Sequence, residues 1–312
     1  MDEITWVKNN MKKFVVLTGG LGNQLFQIAG ALSYTTEPIN VISCLGNPRR
    51  HHGKLEISEL NFGGQILVSD CNRNHRIVKR MFALMVSSAT RRKFLQNILL
   101  SRFALSTLGS LIFSLHLRYP VFPRVSIGIG KDESFKLKKG NLFIGYFQTF
   151  EMNERARDCI RNAFHPVIPI KCLPNGKEPD LVIHSRLGDY KNERGFGVLS
   201  EDYFASAISL LEENIEIEII WLFSDEPKLA LELMPTSIRK RIEIIGGEDD
   251  APSKILKTMM QGSSFIISNS TFSWWSALLS ESKLVIVPKP WFVSGEEPNK
   301  LIPKFWRSVD RS

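Results

Sequence analysis

Four short segments combine chemically capable residues with a position directly after an apolar run. The first, TGGLGNQLFQ at 18–27, holds Gly22 and Asn23. Glycines after a buried strand permit a tight turn and close approach of the backbone to a ligand. The segment is not a P-loop, because no Gly-Lys-Ser/Thr follows, and Leu25 stands where a dinucleotide-binding loop needs its last glycine. Alone, it fits a structural turn as well as a ligand site.

The second segment is VIHSRLGDY at 182–190, in which an apolar run leads directly into charged residues. Alternation along an extended strand places His184 and Arg186 on the same side of the backbone. Burying an unpaired charge is costly, so an Arg at the end of a buried strand needs a partner. A guanidinium can hold a phosphate through two parallel hydrogen bonds. The alternative is a structural ion pair between Arg186 and Asp189.

The third and fourth segments are FSDE at 223–226 and ISNSTFSWW at 267–275. Asp225 can bind a metal, hydrogen-bond a sugar or base, or cap the following helix. The fourth segment is typical of a helix N-terminus that binds phosphate, where backbone N–H groups and the helix dipole favour anions. Its alternative is an ordinary N-cap leading into two core tryptophans. Its candidate ligand-binding residues are Asn269, Ser270, Thr271, Phe272 and Ser273.

The elements that position these segments read as an α/β fold with parallel sheets covered on both faces. The predicted strands are 14–18, 40–43, 65–68, 141–145, 181–184, 218–223, 243–245, 265–267 and, as the last, 284–287. The predicted helices are 21–34, 150–164, 200–213, one from 227, 253–261 and 271–280.

A proline-rich stretch at 165–179 predicts a linker between an N-terminal domain, 1–164, and a C-terminal domain, 180–312. Ligands of such sheets bind beyond the carboxyl ends of the strands. We therefore expect a cleft between the two domains with the four segments around it.

The charge of the chain is concentrated in one place. Lys and Arg number 40 against 32 Asp and Glu, a net charge of +8. Nine of these cations and no acid lie within 73–118, where the pattern is helical, so the rest of the chain is close to neutral. This basic helical segment is either a peripheral helix on anionic lipid or a solvated face over core helices. Nucleic-acid binding is disfavoured, because no nucleic-acid module is present and few aromatic residues interleave the cations.

With 43% apolar and 23% charged residues, the composition excludes disordered, collagen-like and disulfide-stapled proteins. The four cysteines are scattered without a CxxC pair or metal-type spacing, so no structural metal site is expected. No signal peptide and no transmembrane run is predicted. We expect a cytoplasmic protein, with the basic helical segment on the inner face of the cytoplasmic membrane as an open alternative.

In this order, the four segments resemble the bacterial α-1,2-fucosyltransferases of glycosyltransferase family 11, over about residues 14–290. The resemblance implies a GT-B fold, in which two Rossmann-like domains face a cleft. It implies inverting transfer of L-fucose from GDP-β-L-fucose to the 2-hydroxyl of a terminal galactose, without a metal or other cofactor. The acceptor is then a surface glycan, lipid-linked or free.

The resemblance also implies residue roles. Arg186 holds the β-phosphate, and Ser270 and Thr271, with the amides around them, hold the same pyrophosphate. His184 and Asp225 lie against the guanosine. Gly22 and Asn23 approach the pyrophosphate or the reaction centre from the N-terminal domain, where Asn23 positions rather than deprotonates.

Asp189 is the first candidate for the general base, and its alternative role is to orient Arg186 or His184. Many family members have a second Arg directly after the first, and here that position is Leu187. Lys191 or Arg194 are the candidates to compensate. The competing readings are another linkage, another GDP-sugar, or a non-catalytic GDP-sugar-binding protein.

Overall fold

The computed structural model describes residues 12–43, 55–68, 110–111, 114–115, 119–126, 129–130, 134–135, 140–193, 195–247, 249–294 and 297–311. The chain divides into two compact units, Met1–Cys159 and Ile160–Ser312. Each contains a six-stranded sheet, mostly parallel in the first unit and fully parallel in the second, together with helices. The prediction of two Rossmann-like units, which compose a GT-B fold, is therefore confirmed. Almost all of the basic helical segment lies outside the described residues, and its conformation stays a prediction.

The first unit contains a six-stranded sheet with the order β3-β2-β1-β6-β4-β5. All pairs are parallel except β4 with β5. Strand β1 is an apolar run buried on both faces, as expected for a central parallel strand. The elements are β1 (Lys13–Leu17), α1 (Leu21–Leu32), β2 (Ile39–Ser43), β3 (Ile66–Leu67), β4 (Pro123–Ser126), β5 (Ser134–Phe135), β6 (Leu142–Gly145), α2 (Phe150–Arg155) and α3 (Arg157–Ala163).

The second unit contains a six-stranded, fully parallel sheet with the order β12-β11-β10-β7-β8-β9. Its elements are β7 (Leu181–Ser185), α4 (Glu201–Glu212), β8 (Ile220–Ser224), α5 (Pro227–Glu232), α6 (Thr236–Arg239), β9 (Ile242–Ile244), α7 (Pro252–Met259), β10 (Ser264–Ile267), α8 (Thr271–Leu279), β11 (Leu284–Lys289) and β12 (Arg307–Asp310). The predicted N-cap is confirmed, since Ser200 Oγ accepts the Tyr203 N–H at 3.2 Å.

Each sheet has one switch point, a pair of neighbouring strands that separates the half of the sheet formed by its first three strands from the half formed by its last three. In the first unit this switch point lies between β1 and β6, and in the second between β7 and β10. The loops that follow the two strands separate there and leave a crevice beyond their carboxyl ends, where α/β proteins bind ligands. All four motif segments follow strands that end at, or next to, such a point.

Several element predictions were wrong in detail. The predicted helix at 150–164 is two helices, α2 and α3, which meet at Ala156. The strand at 284–287 is not the last, because β12 pairs with β11 beyond it. Strand β12 has the sequence RSVD and is largely exposed at the sheet edge, so it lacks the apolar pattern that indicates a strand. Strands β4 and β5 were also not predicted.

The predicted linker, 165–179, is irregular apart from one 3-10 turn at Pro174–Gly176. It is anchored on the second unit, since the Ile170 N–H donates to Thr258 Oγ1 at 2.9 Å and Gln261 Nε2 donates to the Lys171 carbonyl at 2.8 Å. The boundary between the units falls within α3, a few residues before the predicted end of the first domain. Among the described residues, every helix is too short or too polar to span a bilayer.

Candidate functional site

The switch point of the second unit joins two of the motif segments. His184 lies near the end of β7, and Ser268 directly follows β10. His184 Nδ1 and Ser268 Oγ are 2.8 Å apart and both residues are buried. Burial, reinforced by the nearby charge of Arg186, lowers the pKa of His184 to about 3. The imidazole is therefore neutral at physiological pH and acts through hydrogen bonds rather than charge.

Arg186 follows β7 directly and is held by two carboxylates. Its Nε and Nη2 lie 3.0 and 2.9 Å from Asp189 Oδ1, and its Nη1 lies 3.3 Å from Asp225 Oδ2. The guanidinium also lies 5.7 Å from the centre of the Tyr190 ring. The Arg186 and Asp225 side chains are only 20% and 19% exposed, whereas Asp189 is 51% exposed. The structural ion pair considered from the sequence is thus present, and Asp225 is a second partner that was not predicted.

Asp225 is bound on both of its oxygens. Oδ1 accepts the Leu187 N–H at 2.9 Å, while Oδ2 faces the guanidinium. Gly188 leaves room for this carboxylate, because a Cβ added there would lie 2.6 Å from Oδ2. A larger residue at this position of the HSRLGD motif would therefore displace the Asp225 carboxylate from Arg186.

At position 187, where many family members have a second Arg, the Leu187 side chain does not lie at the surface. Its side chain is fully buried in the core of the second unit, against residues of β7, β8 and α4. Lys191 is already engaged, because its Nζ donates to Glu226 Oε2 at 2.5 Å. Arg194, the other candidate to compensate, lies outside the described residues.

The fourth segment forms the N-terminus of α8. Ser270 is the N-cap, and its Oγ accepts the Phe272 N–H at 3.3 Å. The first-turn amides of a helix, Thr271 among them, have no acceptor within the helix and are suited to an anion. The Ser273 hydroxyl is instead buried, and its one proton is shared between the carbonyls of Ser268 and Ser270, both 3.3 Å from Oγ. The two tryptophans that follow are fully buried, as predicted.

Asn269 connects this helix start to the loop after β7. Its Nδ2 donates to the Phe196 carbonyl at 3.0 Å, and its own carbonyl accepts from the Tyr190 hydroxyl at 3.1 Å. Burial raises the pKa of Tyr190, so the phenol stays protonated as this donor. Asn269 Oδ1 is buried without a hydrogen-bond partner, an unfavourable arrangement that functional sites sometimes retain.

Residues around Phe196 were not predicted from the sequence. The rings of Tyr190, Phe196 and Phe292 form a row, with centroids 4.8 and 5.5 Å apart. Arg311 supports this row, since its Nη2 donates to the Phe196 carbonyl at 2.8 Å and its Nη1 to the Trp291 carbonyl at 3.1 Å. It is a buried cation near the end of β12, and no motif spacing relates it to the other site residues.

The Gly-rich loop of the first unit is closed by its own side chains. Gly19 has a φ of +74°, which glycine adopts without strain. Gln24 Nε2 donates to the Gly19 carbonyl at 2.8 Å, and Gln27 Oε1 accepts the Thr18 N–H at 2.9 Å. Gly22 lies buried within α1 rather than in the loop.

Two partners in the first unit were also missed. Glu56 Oε2 accepts the Leu21 N–H, so the first backbone N–H of α1 is already hydrogen-bonded to a carboxylate. Asn23 Oδ1 accepts from Gln148 Nε2 at 3.2 Å, across 125 residues of sequence. No local pattern indicates a contact at such a separation.

The structure thus assembles Arg186, Asp189, Asp225, His184 and the α8 terminus in the second unit, and Gly22 and Asn23 in the first. Within the described ranges, no group of three or more His, Cys, Asp or Glu side chains is arranged to hold a metal ion. Tyr190 connects Arg186 to the start of α8, because its ring lies 5.7 Å from the guanidinium and its hydroxyl donates to the Asn269 carbonyl at the start of that helix. A guanidinium and a helix N-terminus are each groups that bind phosphate.

Solved structures of similar fold share little sequence with this chain. The Escherichia coli heptosyltransferase WaaC with ADP is 11% identical with a TM-score of 0.47, covering 96% of this chain and 93% of that one. The fucosyltransferase NodZ from Bradyrhizobium is 10% identical with a TM-score of 0.42, covering 87% and 94%.

Curated relatives match over nearly their whole length. The Escherichia coli O-antigen biosynthesis glycosyltransferase WbnK is 26% identical, covering 93% of this chain and 98% of the relative. An Escherichia coli alpha-1,2-colitosyltransferase is 23% identical, covering 95% and 98%. The family model of glycosyl transferase family 11 matches residues 12–299. The chain therefore belongs to glycosyltransferase family 11.

Proposed function

We propose that this protein is an inverting glycosyltransferase that moves L-fucose from GDP-β-L-fucose to the 2-hydroxyl of a terminal galactose. The acceptor is a glycan destined for a bacterial surface polysaccharide, in keeping with a relative named for O-antigen biosynthesis. The observation that carries the proposal is Arg186, a cation on the loop directly after β7, at the switch point of the second sheet and close to the helix start at Ser270.

The chemistry follows from charge. The acceptor hydroxyl loses its proton to a general base as its oxygen forms a bond to C1 of fucose. The bond from C1 to the β-phosphate oxygen breaks, and GDP departs with the electron pair. Negative charge on the phosphate grows during this step, so a fixed guanidinium and helix N-terminus bind the transition state more tightly than the ground state. We assign this role to Arg186 and to the amides at Ser270 and Thr271.

The carboxylates divide into supporting roles. In an inverting displacement the base and the leaving group lie on opposite faces of the sugar. Asp189 shares Arg186 with the leaving phosphate, so we propose that it orients the guanidinium, the alternative considered from the sequence. Asp225, with both oxygens engaged, holds Arg186 from the other side, and the neutral His184 contacts the guanosine.

Asp189→Asn separates the two roles of this carboxylate. If Asp189 only orients Arg186, the variant should keep more than about a tenth of the wild-type kcat. If Asp189 is the general base, the variant should lose about 10²- to 10⁴-fold in kcat. Asp202→Asn, on the exposed first turn of α4, is the matched control for the loss of one charge. A loss of that larger size with unchanged GDP affinity would return Asp189 to the role of base.

The second candidate donor carries colitose, because one relative is named as an alpha-1,2-colitosyltransferase. The decisive experiment incubates the protein with GDP-fucose, or with a GDP-linked colitosyl donor, and a β-galactoside, and maps the product linkage by NMR. An α-1,2-fucosyl product is expected. Another linkage, transfer of colitose alone, hydrolysis of the donor alone, or binding without turnover would each replace the proposal by a different one.

Metal independence is a separate part of the proposal. Arg186 and the helix terminus supply the positive charge at the phosphate, so full activity is expected after exhaustive chelation with EDTA. A loss of activity that Mn²⁺ restores would overturn it.

We further propose that the basic helical segment, 73–118, makes peripheral contact with anionic lipid near a lipid-linked acceptor. Its nine cations without an acid support this. Salt-sensitive binding to anionic vesicles, abolished by neutralising Arg91, Arg92 and Lys93, is the expected result. A lack of vesicle binding at low salt would remove the proposal.

A further inference from the structure

A hydrogen bond crosses the switch point of the first unit. Strands β1 and β6 are parallel neighbours, with the Gly-rich loop after β1 and the turn 146–149 after β6. Gln148 Nε2 donates to Asn23 Oδ1 at 3.2 Å from one of these segments to the other. Gln148 is 3% exposed, and Asn23 is half-buried. The pair therefore lies where an α/β sheet binds its ligand.

The bond fixes the direction of the Asn23 amide. Its Oδ1 faces Gln148, so Nδ2 points away from Gln148 and is the donor that this amide offers to a ligand. Nδ2 stands over Gly19, where an added Cβ would lie 2.6 Å from it. The N–H groups of Asn23 are thus turned to the Gly-rich loop. An amide N–H donates a hydrogen bond and does not take up a proton.

Gln148 is itself held by a constrained turn. The preceding residue, Phe147, has a φ of +53°, which is unusual for an aromatic residue and is a kind of strain that clusters at functional sites. Asn153 Nδ2 donates to the carbonyls of Phe147 and Thr149 at 2.9 and 2.5 Å. The Phe147 ring packs on Gly30 of α1, where an added Cβ would lie 2.3 Å from the ring. The turn and the helix that carries Asn23 are therefore locked together.

We propose that Gln148 is a positioning residue for glycosyl transfer, which holds the Asn23 amide so that Nδ2 donates to a substrate oxygen. The inference rests on the proposed function and adds a hydrogen-bond donor from the first unit. The oxygen belongs either to the departing pyrophosphate or to the acceptor hydroxyl, since both offer the same lone-pair chemistry. A higher KM for GDP-fucose identifies the first, and a higher KM for the galactoside the second.

A double-mutant cycle tests the coupling. Asn23→Ala and Gln148→Ala are each expected to lower kcat/KM by about tenfold or more, and the double variant is expected to be no slower than Asn23→Ala alone. The reason is that Gln148 acts only through Asn23. Multiplying losses would overturn the inference, as would wild-type turnover by Asn23→Asp, which keeps the acceptor for Gln148 but lacks the N–H.

A readout without turnover keeps this test separate from the proposed function. A wild-type protein that transfers no sugar would refute the proposed function alone. The side-chain amide resonances of Asn23, assigned by their absence in Asn23→Asp, are expected to shift in Gln148→Glu, which cannot donate. Gln65→Glu, at an exposed position of the same unit, is the control and should leave them unmoved. Unshifted resonances in Gln148→Glu would overturn the inference whatever the donor sugar.

Discussion

Replacing Asp225 by Asn is expected to destabilise the second unit far more than replacing Asp189 by Asn. Both carboxylates contact Arg186, but Asp225 is 19% exposed and Asp189 is 51% exposed. The Asp225 substitution leaves the largely buried guanidinium without one counter-charge and turns an N–H donor toward another donor. Breaking a charged hydrogen bond in such surroundings costs about 2–4 kcal/mol. The Asp189 pair is screened by water, so its loss costs less than about 1 kcal/mol.

Urea denaturation followed by tryptophan fluorescence measures this difference. Trp221, Trp274, Trp275, Trp291 and Trp306 all lie in the second unit, so the signal reports mainly on it. With a slope of about 1–3 kcal/mol per molar urea, the Asp225 variant should unfold roughly 0.7–4 M earlier. Equal shifts in the two variants, or a larger shift for Asp189→Asn, would refute the reasoning from burial.

Three further predictions concern the same unit. Burial lowers the pKa of His184 from 6.5 to about 3. Between these two pH values His184 binds a proton in the unfolded protein but not in the folded one, so the stability of the fold decreases as the pH drops from 6.5 toward 3. The free energy of unfolding should fall by up to about 1.4 kcal/mol per pH unit. Urea midpoints measured across this pH range should lose this pH dependence in His184→Asn and keep it in His165→Asn, the control at an exposed position. Leu187→Arg, which buries an unpaired cation in the core, should cost about 3–5 kcal/mol, against less than about 1.5 for Leu187→Met, and a stable Arg variant with tighter GDP binding would contradict this. Arg311 and Asn269 both donate to the Phe196 carbonyl, and a Lys at 311 cannot reproduce the several carbonyl contacts of the guanidinium. Arg311→Lys should therefore raise the KM for the donor by displacing Phe196 and Asn269, and an unchanged KM would show that Arg311 does not position Asn269.

Much of the second unit could be predicted from the sequence because its signals are local. Buried strands alternate with helices through short loops, and residues after neighbouring parallel strands meet at one edge of the sheet. This is why His184, Arg186 and the helix start at Ser270 were expected together, and they are. The ion pair of Arg186 with Asp189 spans three residues and was also considered.

Contacts between distant segments could not be predicted in this way. Asp225 reaches Leu187 across 38 residues, and the partners of Asn23 and Phe196 are farther away. Which of these distant segments meet depends on the order of the strands in the sheet, and the hydrophobic periodicity of the sequence does not determine that order. Strand β12 was missed for a related reason, since an exposed edge strand has no buried face to produce an apolar pattern.

One measurement tests most directly whether Arg186 holds the donor's pyrophosphate. It is the affinity of the Arg186→Ala variant for GDP, determined by calorimetry and compared with its affinity for guanosine. Arg186→Lys is the control that retains the charge without the bidentate geometry. The loss of two charge-assisted hydrogen bonds predicts a GDP affinity at least about tenfold weaker in the Ala variant, with an intermediate loss in the Lys variant. Guanosine affinity should change by less than about twofold, because guanosine carries no phosphate. An unchanged GDP affinity in a folded Arg186→Ala protein would contradict the account.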